Sequence, residues 1–235
     1  LIGGSADLAG SNNTKSKFNK VINAKNFDGD YIHYGVREHA MCGIMNGLAL
    51  HSNLIPYGGT FLIFSDYCKP SIRLSALMKQ RVIYVMTHDS IGLGEDGPTH
   101  QPIEHLSSLR AIPNVYVYRP ASAVETIECW DIALNSKDKP SVISLTRQNL
   151  SQPRDKMESI NLCELGAYEI YRSGSNIDLT LMASGSEVEI AISASKKLAQ
   201  KNINSKVISF PSMELFDAQP ESYRSKILDE TNLKI

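Results

Sequence analysis

Short runs of β-branched and aromatic residues alternate along this chain with amphipathic stretches of helical spacing. That alternation restricts it to an α/β fold, a mostly parallel sheet with helices on both faces. Strands are expected at Tyr31–Tyr34, Val82–Met86, Val115–Tyr118, Val142–Leu145, Leu179–Ala183 and Val207–Phe210. The periodicity predicts helices over Glu38–His51, Ser71–Lys79, Ala123–Asn135 and Glu187–Lys201. Ser122 with Glu125, and Ser186 with Glu189, have the spacing of a capping box. In that arrangement the hydroxyl takes an orphan amide of the first turn and the carboxylate reaches back to the cap amide.

The stretch from Leu150 to Asn176 is polar and turn-rich, with Pro153, Gly166 and Gly174. It divides the chain into a domain over residues 1–150, a linker over 151–176 and a smaller, partial α/β domain over 177–235. The chain opens on Leu1 rather than Met, with Leu-Ile-Gly-Gly placed like the tail of a strand entering a tight turn. It closes on Asn232-Leu-Lys-Ile235, placed like a strand beginning. A piece of a longer polypeptide is expected.

Hydrophobic residues occupy 42% of the 235 positions, enough for a sizeable core and too many for intrinsic disorder. Lys and Arg number 24 against 25 Asp and Glu, so no positive field exists to hold nucleic acid or an anionic membrane nonspecifically. No apolar run approaches the ~18 residues that span a bilayer, and no signal-peptide pattern opens the chain. A cytoplasmic protein with neither kind of partner is expected. Cys42, Cys68, Cys129 and Cys163 form no CxxC pair and no zinc spacing, which suits buried thiols in a reducing compartment.

One long stretch fits neither period: Thr87-His-Asp-Ser-Ile-Gly-Leu-Gly-Glu-Asp-Gly-Pro-Thr-His-Gln-Pro102. It follows the strongest strand, and the carboxyl end of a parallel strand is where open α/β sheets place ligand sites. His88 and His100 are its two groups that titrate near neutrality, suited to proton transfer, to sugar hydroxyl recognition, or merely to capping loop backbone. Glycines flank the Glu-Asp pair that contains Asp96 and let its backbone approach a ligand. His88, His100, Glu104 and His105 match no common metal-ligand spacing, so no metal site is expected within this chain.

Glu38 follows Tyr-Gly-Val-Arg and opens an apolar helix. An acid there favours the helix dipole. Facing an apolar pocket, it would instead hold a proton near neutrality, because desolvation disfavours the charged form. Phe61, Phe64 and Tyr67 recur every three residues after Gly58-Gly59, as core or as a stacking face for a flat heteroaromatic ligand. Arg147 ends a strand and suits a phosphate, as do Arg37 and Arg110, while Ser11 stands in a turn-rich loop and suits an anion.

Taken together, Gly-Gly-Ser-Ala-Asp-Leu (3–8), His-Tyr-Gly-Val-Arg-Glu-His-Ala-Met (33–41), Tyr-Gly-Gly-Thr-Phe (57–61), the loop over 87–102 and Arg-Gln-Asn (147–149) resemble transketolase. The resemblance covers essentially the whole chain and implies a thiamin-diphosphate-binding fold: the central pyrimidine-binding domain, then the start of the C-terminal domain. It implies a transferase of the pentose phosphate pathway. Such an enzyme moves a two-carbon ketol unit from a ketose phosphate (xylulose 5-phosphate) to an aldose phosphate (ribose 5-phosphate or erythrose 4-phosphate). Thiamine diphosphate and magnesium are the implied cofactors, and the full-length protein is an implied homodimer. Glu38 matches the glutamate that hydrogen-bonds the aminopyrimidine ring nitrogen and activates the cofactor. Phe61 matches the residue stacked on that ring, Phe64 and Tyr67 complete its pocket, and Asp7 matches an acid near the cofactor. His88, Asp96 and His100 match residues on the donor sugar's hydroxyls and reacting carbonyl. Ser11 and Arg147 match the phosphate site, although Gly10 stands where many relatives carry proline.

The family's diphosphate- and magnesium-binding domain lies upstream, and its GDG…N signature is absent here, since Gly29-Asp30 is followed by Tyr31. The resemblance therefore implies half of each composite site and a fragment inactive alone. The competing readings are another thiamine enzyme, such as a deoxyxylulose-phosphate synthase-like protein, and a noncatalytic dimerisation module.

Overall fold

The computed structural model describes residues 1–94, 96–228 and 233–235. The chain divides into two compact units, residues 1–117 with 133–148, and residues 118–132 with 149–235. In chain order the first elements are β1 (Gly3–Ser5), α1 (Ala9–Asn12), β2 (Tyr31–His33), α2 (Glu38–His51), β3 (Tyr57–Phe61) and α3 (Ser65–Leu77). Next come β4 (Ile83–Thr87), α4 (His105–Arg110), β5 (Tyr116–Tyr118), α5 (Ala123–Asn135) and β6 (Ser141–Leu145).

The first sheet has six strands in the order β2-β1-β3-β4-β6-β5, and β2, β1, β3, β4 and β6 pair in parallel. Its register aligns Phe61 with Thr87 and Leu145, and Ser5 with His33 and Gly59, so these five strands end along one edge. Every residue of β3 and β4 is buried, as expected of parallel strands covered on both faces. The core beneath that edge gathers Met41, Met45, Leu62, Ile72, Tyr84 and Met86. Helices α2 and α3 are tied across it by Ser75, whose Oγ lies 2.6 Å from both Asn46 Oδ1 and Tyr84 OH. Asn46 donates in turn to the Ser71 carbonyl at 2.9 Å.

Two elements differ from the sequence expectation for identifiable reasons. Strand β3, not among the strands expected from the sequence, contains Gly58-Gly59. A Cβ at Gly58 would stand 2.5 Å from Met45 Sδ, so glycine there permits α2 to lie against the strand. Helix α3 begins at Ser65, six residues before the expected Ser71, and carries Pro70 inside it. Pro70 is exposed and lies in the second turn, where it removes the amide that would donate to the Asp66 carbonyl.

The second unit contains β7 (Tyr168–Arg172), β8 (Leu179–Ala183), α6 (Glu187–Ala199), β9 (Ser205–Ser209), α7 (Met213–Asp217), α8 (Glu221–Leu228) and β10 (Leu233–Lys234). Its sheet runs β10-β8-β9-β7, with β10, β8 and β9 parallel and β7 antiparallel to β9. Strand β7 lies inside the stretch expected to be a linker, so part of that stretch is sheet. Its Tyr168 donates to the fully buried Glu125 carboxylate at 2.5 Å, and Glu125 also accepts from Ser209 Oγ at 2.7 Å and the Ala121 amide at 2.6 Å.

Neither capping box closes as spaced. The Glu125 amide does donate to Ser122 Oγ at 3.2 Å, but the Glu125 carboxylate serves the buried network instead. Ser186 makes no side-chain cap, and Glu189 accepts from the Ser151 amide at 2.9 Å. All four cysteines are free and buried. Among the described residues no helix is long and apolar enough to cross a membrane.

Candidate functional site

The carboxyl ends of β1 to β4 and β6 deliver the residues singled out above to one edge of the first unit. Strand β3 ends at Phe61 and passes through the single 3₁₀ turn Leu62–Phe64 into α3. Three residues per turn set the next ring over the last. Phe61 and Phe64 stack with centroids 5.7 Å apart, and Phe64 and Tyr67 with centroids 5.9 Å apart. Exposure climbs along the row, from 6% at Phe61 to 63% at Tyr67.

Strand β4 ends at Thr87, and His88 follows in left-handed backbone with φ 60°. Its ring lies on Phe61 with centroids 3.6 Å apart and planes 26° from parallel. His100, at the end of the 3₁₀ turn Pro98–His100, meets Phe64 edge-on at 5.4 Å and Phe61 at 6.0 Å. Phe61, Phe64, Tyr67, His88 and His100 thus form one continuous aromatic cluster. Phe61, expected as the stacking face for a ligand ring, is covered on one side by His88.

A cavity of about 390 Å³ opens beside Phe64 and Tyr67. Ala6, Leu8 and Val36 add apolar wall, and its two carboxyls belong to Glu38 and Asp7. Glu38 is the first residue of α2, only 8% exposed, with no hydrogen-bond or ion-pair partner among the described residues. Asp7 is exposed and left-handed at φ 65°, in the loop after β1. A partnerless carboxyl in a small cavity of apolar and aromatic walls fits a flat heteroaromatic ring that bears a nitrogen. It does not fit a diphosphate with its cation. The one group of metal-ligand side chains among the described residues is Asp66, Glu104 and His105, none of which lines this cavity. There His105 Nε2 lies 3.1 Å from Asp66 Oδ2.

Asp96 and Arg147 are exposed, and both act electrostatically on His88. Arg147 also stands beside the loop, its Nη1 at 4.0 Å from where a Cβ on Gly94 would sit. Ser11 is exposed on the single-turn α1, which Asn12 anchors by donating to Ser5 Oγ at 2.9 Å. A Cβ at Gly10 would meet open space.

Burial lowers the pKa of His88 below the ordinary histidine value, and the positive charges of Arg147 and His100 lower it further against the opposing pull of Asp96. A histidine with a depressed pKa binds its proton more readily in the unfolded chain, so folding stability falls as pH drops through and below ~6.5. An NMR titration will place the His88 midpoint below that of a free histidine.

Sequence reasoning overlooked Thr87 and Thr99. Thr87 Oγ1 lies 3.0 Å from His88 Nδ1, and Thr99 Oγ1 lies 2.9 Å from His100 Nδ1. The signal was present as the dipeptide Thr-His occurring twice in one loop.

The same edge of the sheet answers to known proteins. A family model described as the transketolase pyrimidine-binding domain matches residues 1–153, and one described as the transketolase-like C-terminal domain matches residues 166–235. The chain belongs to the transketolase family. A transketolase of Sinorhizobium medicae is 55% identical over 97% of this chain and 33% of its own length. The structure of transketolase from Leishmania mexicana superposes with a TM-score of 0.94 at 46% identity, covering 100% of this chain and 35% of that one. The structure of a split gene transketolase, an inactive beta4 tetramer, superposes with a TM-score of 0.75 at 25% identity, covering 97% of this chain and 69% of that one. This transketolase-family chain spans about a third of the length of the curated relatives it matches.

Proposed function

We propose that this chain supplies the pyrimidine-binding half of a transketolase active site. The complete enzyme transfers a two-carbon ketol unit from xylulose 5-phosphate to ribose 5-phosphate or erythrose 4-phosphate, within the pentose phosphate pathway. The observation that carries this reading is the partnerless Glu38 carboxyl opening into a cavity walled by Phe64 and Tyr67.

Thiamine diphosphate, when bound, supplies the electron sink for carbon–carbon bond cleavage. Glu38 would hydrogen-bond the ring nitrogen, its carboxyl having no hydrogen-bond or ion-pair partner among the described residues. Phe64 and Tyr67 stack on the ring, Phe61 supports the cluster from beneath, and Asp7 flanks the cavity. Ala6, Leu8 and Val36 give the ring apolar wall to lie against. His88, His100 and Asp96 take the hydroxyls and the reacting carbonyl of the sugar. Arg147 and Ser11 take its phosphate, the guanidinium fork matching phosphate oxygens in pairs.

Magnesium and the diphosphate belong to the upstream portion carried by a partner subunit, and the working enzyme is a cytoplasmic homodimer. Four free, buried thiols support a reducing compartment. With only the pyrimidine end held, the chain alone binds thiamine diphosphate weakly. Calorimetric titration will show the affinity rising at least ~10-fold, about 1.4 kcal/mol, once the upstream segment and magnesium are added. Equally tight binding by the chain alone would overturn the assignment.

A further inference from the structure

His88 and His100 reach the cluster by different routes, one at the end of a strand and the other at the end of a 3₁₀ turn. Both nevertheless carry the same local device. The hydroxyl of the preceding threonine sits on Nδ1, at 3.0 Å for Thr87 and 2.9 Å for Thr99. Phe61 holds the first ring by stacking, and Phe61 and Phe64 hold the second edge-on. Neither Nε2 has a hydrogen-bond partner among the described residues.

Thr87 is 6% exposed, and Nδ1 of His88 is the partner of its side-chain hydroxyl. A buried hydroxyl needs an acceptor for its proton, and a neutral imidazole nitrogen with a lone pair is one. If Nδ1 carried the hydrogen instead, the Thr87 hydroxyl would be left a buried donor without an acceptor. The hydrogen of the ring therefore belongs on Nε2. The same logic applies to Thr99 and His100 more weakly, because Thr99 is exposed and water competes for its hydroxyl.

We infer that Thr87 and Thr99 are positioning residues that set both histidines as Nε2–H donors, so that the pair recognises oxygen acceptors and neither ring serves as a base toward the ligand. Resting on the ketol-transfer reading, this makes His88 and His100 a two-point clamp on hydroxyl or carbonyl oxygens of the sugar.

Long-range ¹H–¹⁵N NMR of the 235-residue chain, recorded well above pH ~6.5 so that both rings are neutral, reads the tautomers directly. Both rings are expected to show a lone-pair Nδ1 and a protonated Nε2. Thr87→Val should move His88 into a mixture of tautomers while leaving His100 alone, and Thr87→Ser should restore it. Thr99→Val should shift His100 by a smaller amount and leave His88 alone. A protonated Nδ1 on His88 in the unsubstituted chain, or an unchanged His88 tautomer in a folded Thr87→Val chain, would overturn the inference. Should Thr87→Val not fold, the exposed Thr99→Val carries the test, and no change at His100 would overturn it. The readout needs neither cofactor nor sugar. An intact tautomer lock in a protein without ketol transfer would therefore sink the functional reading alone.

Discussion

Glu38→Gln lowers ketol transfer by roughly 10²–10⁴-fold in the reconstituted enzyme, the range for loss of a positioned proton donor. The substitution keeps the shape and the hydrogen-bonding capacity of the side chain but removes its ability to hold and yield a proton. Glu38 is 8% exposed and lacks a hydrogen-bond or ion-pair partner among the described residues, whereas the other carboxyl of its cavity, Asp7, is exposed. Because Glu38 lies in the proposed cofactor cavity rather than at the loop histidines, the loss falls on kcat while KM for the sugar phosphates changes little. Steady-state kinetics with saturating thiamine diphosphate separates the two. A large rise in KM with kcat preserved would move Glu38 from the cofactor to the substrate.

The second large effect concerns stability of the second unit. Arg154→Ala is expected to cost about 3–5 kcal/mol of unfolding free energy, since removing one partner leaves a buried charge uncompensated. The Arg154 guanidinium grips both oxygens of Glu128, whose side chain is 1% exposed, and also donates to Tyr168 OH at 3.1 Å. Such a loss is a large share of the ~5–15 kcal/mol that holds a typical domain folded. The double change Glu128→Gln with Arg154→Met should recover most of it, because the isolated charge is then gone. Urea unfolding of the three chains checks the order, and equal midpoints for Arg154→Ala and the parent would contradict it.

Elements with an unbroken period were readable from residues alone. Helices α2 and α5 begin and end where their amphipathic pattern does, at Glu38–His51 and Ala123–Asn135. Elements whose residues answer to a neighbour were not. Gly58-Gly59 is strand because it pairs with Tyr84-Val85 of β4, with no room for a Cβ at Gly58 against Met45, and Tyr168 lies in a strand because its polar stretch pairs with β9. The candidate site divides in the same way. The row Phe61, Phe64, Tyr67 was legible as spacing, and Glu38 as an acid opening an apolar helix. The left-handed turn of His88 onto Phe61 and the Leu8 and Val36 walls of the cavity were not, since each depends on contacts between residues distant in sequence.

The central claim is that this chain holds one half of a composite ketol-transfer site. It is tested most directly by following transfer from xylulose 5-phosphate to ribose 5-phosphate, with thiamine diphosphate and magnesium present. The assay is run on the chain alone and on the chain mixed with its separately expressed upstream segment. Turnover in the mixture and none from the chain alone is the predicted result. Turnover by the chain alone, or silence in every mixture of folded pieces, would contradict it.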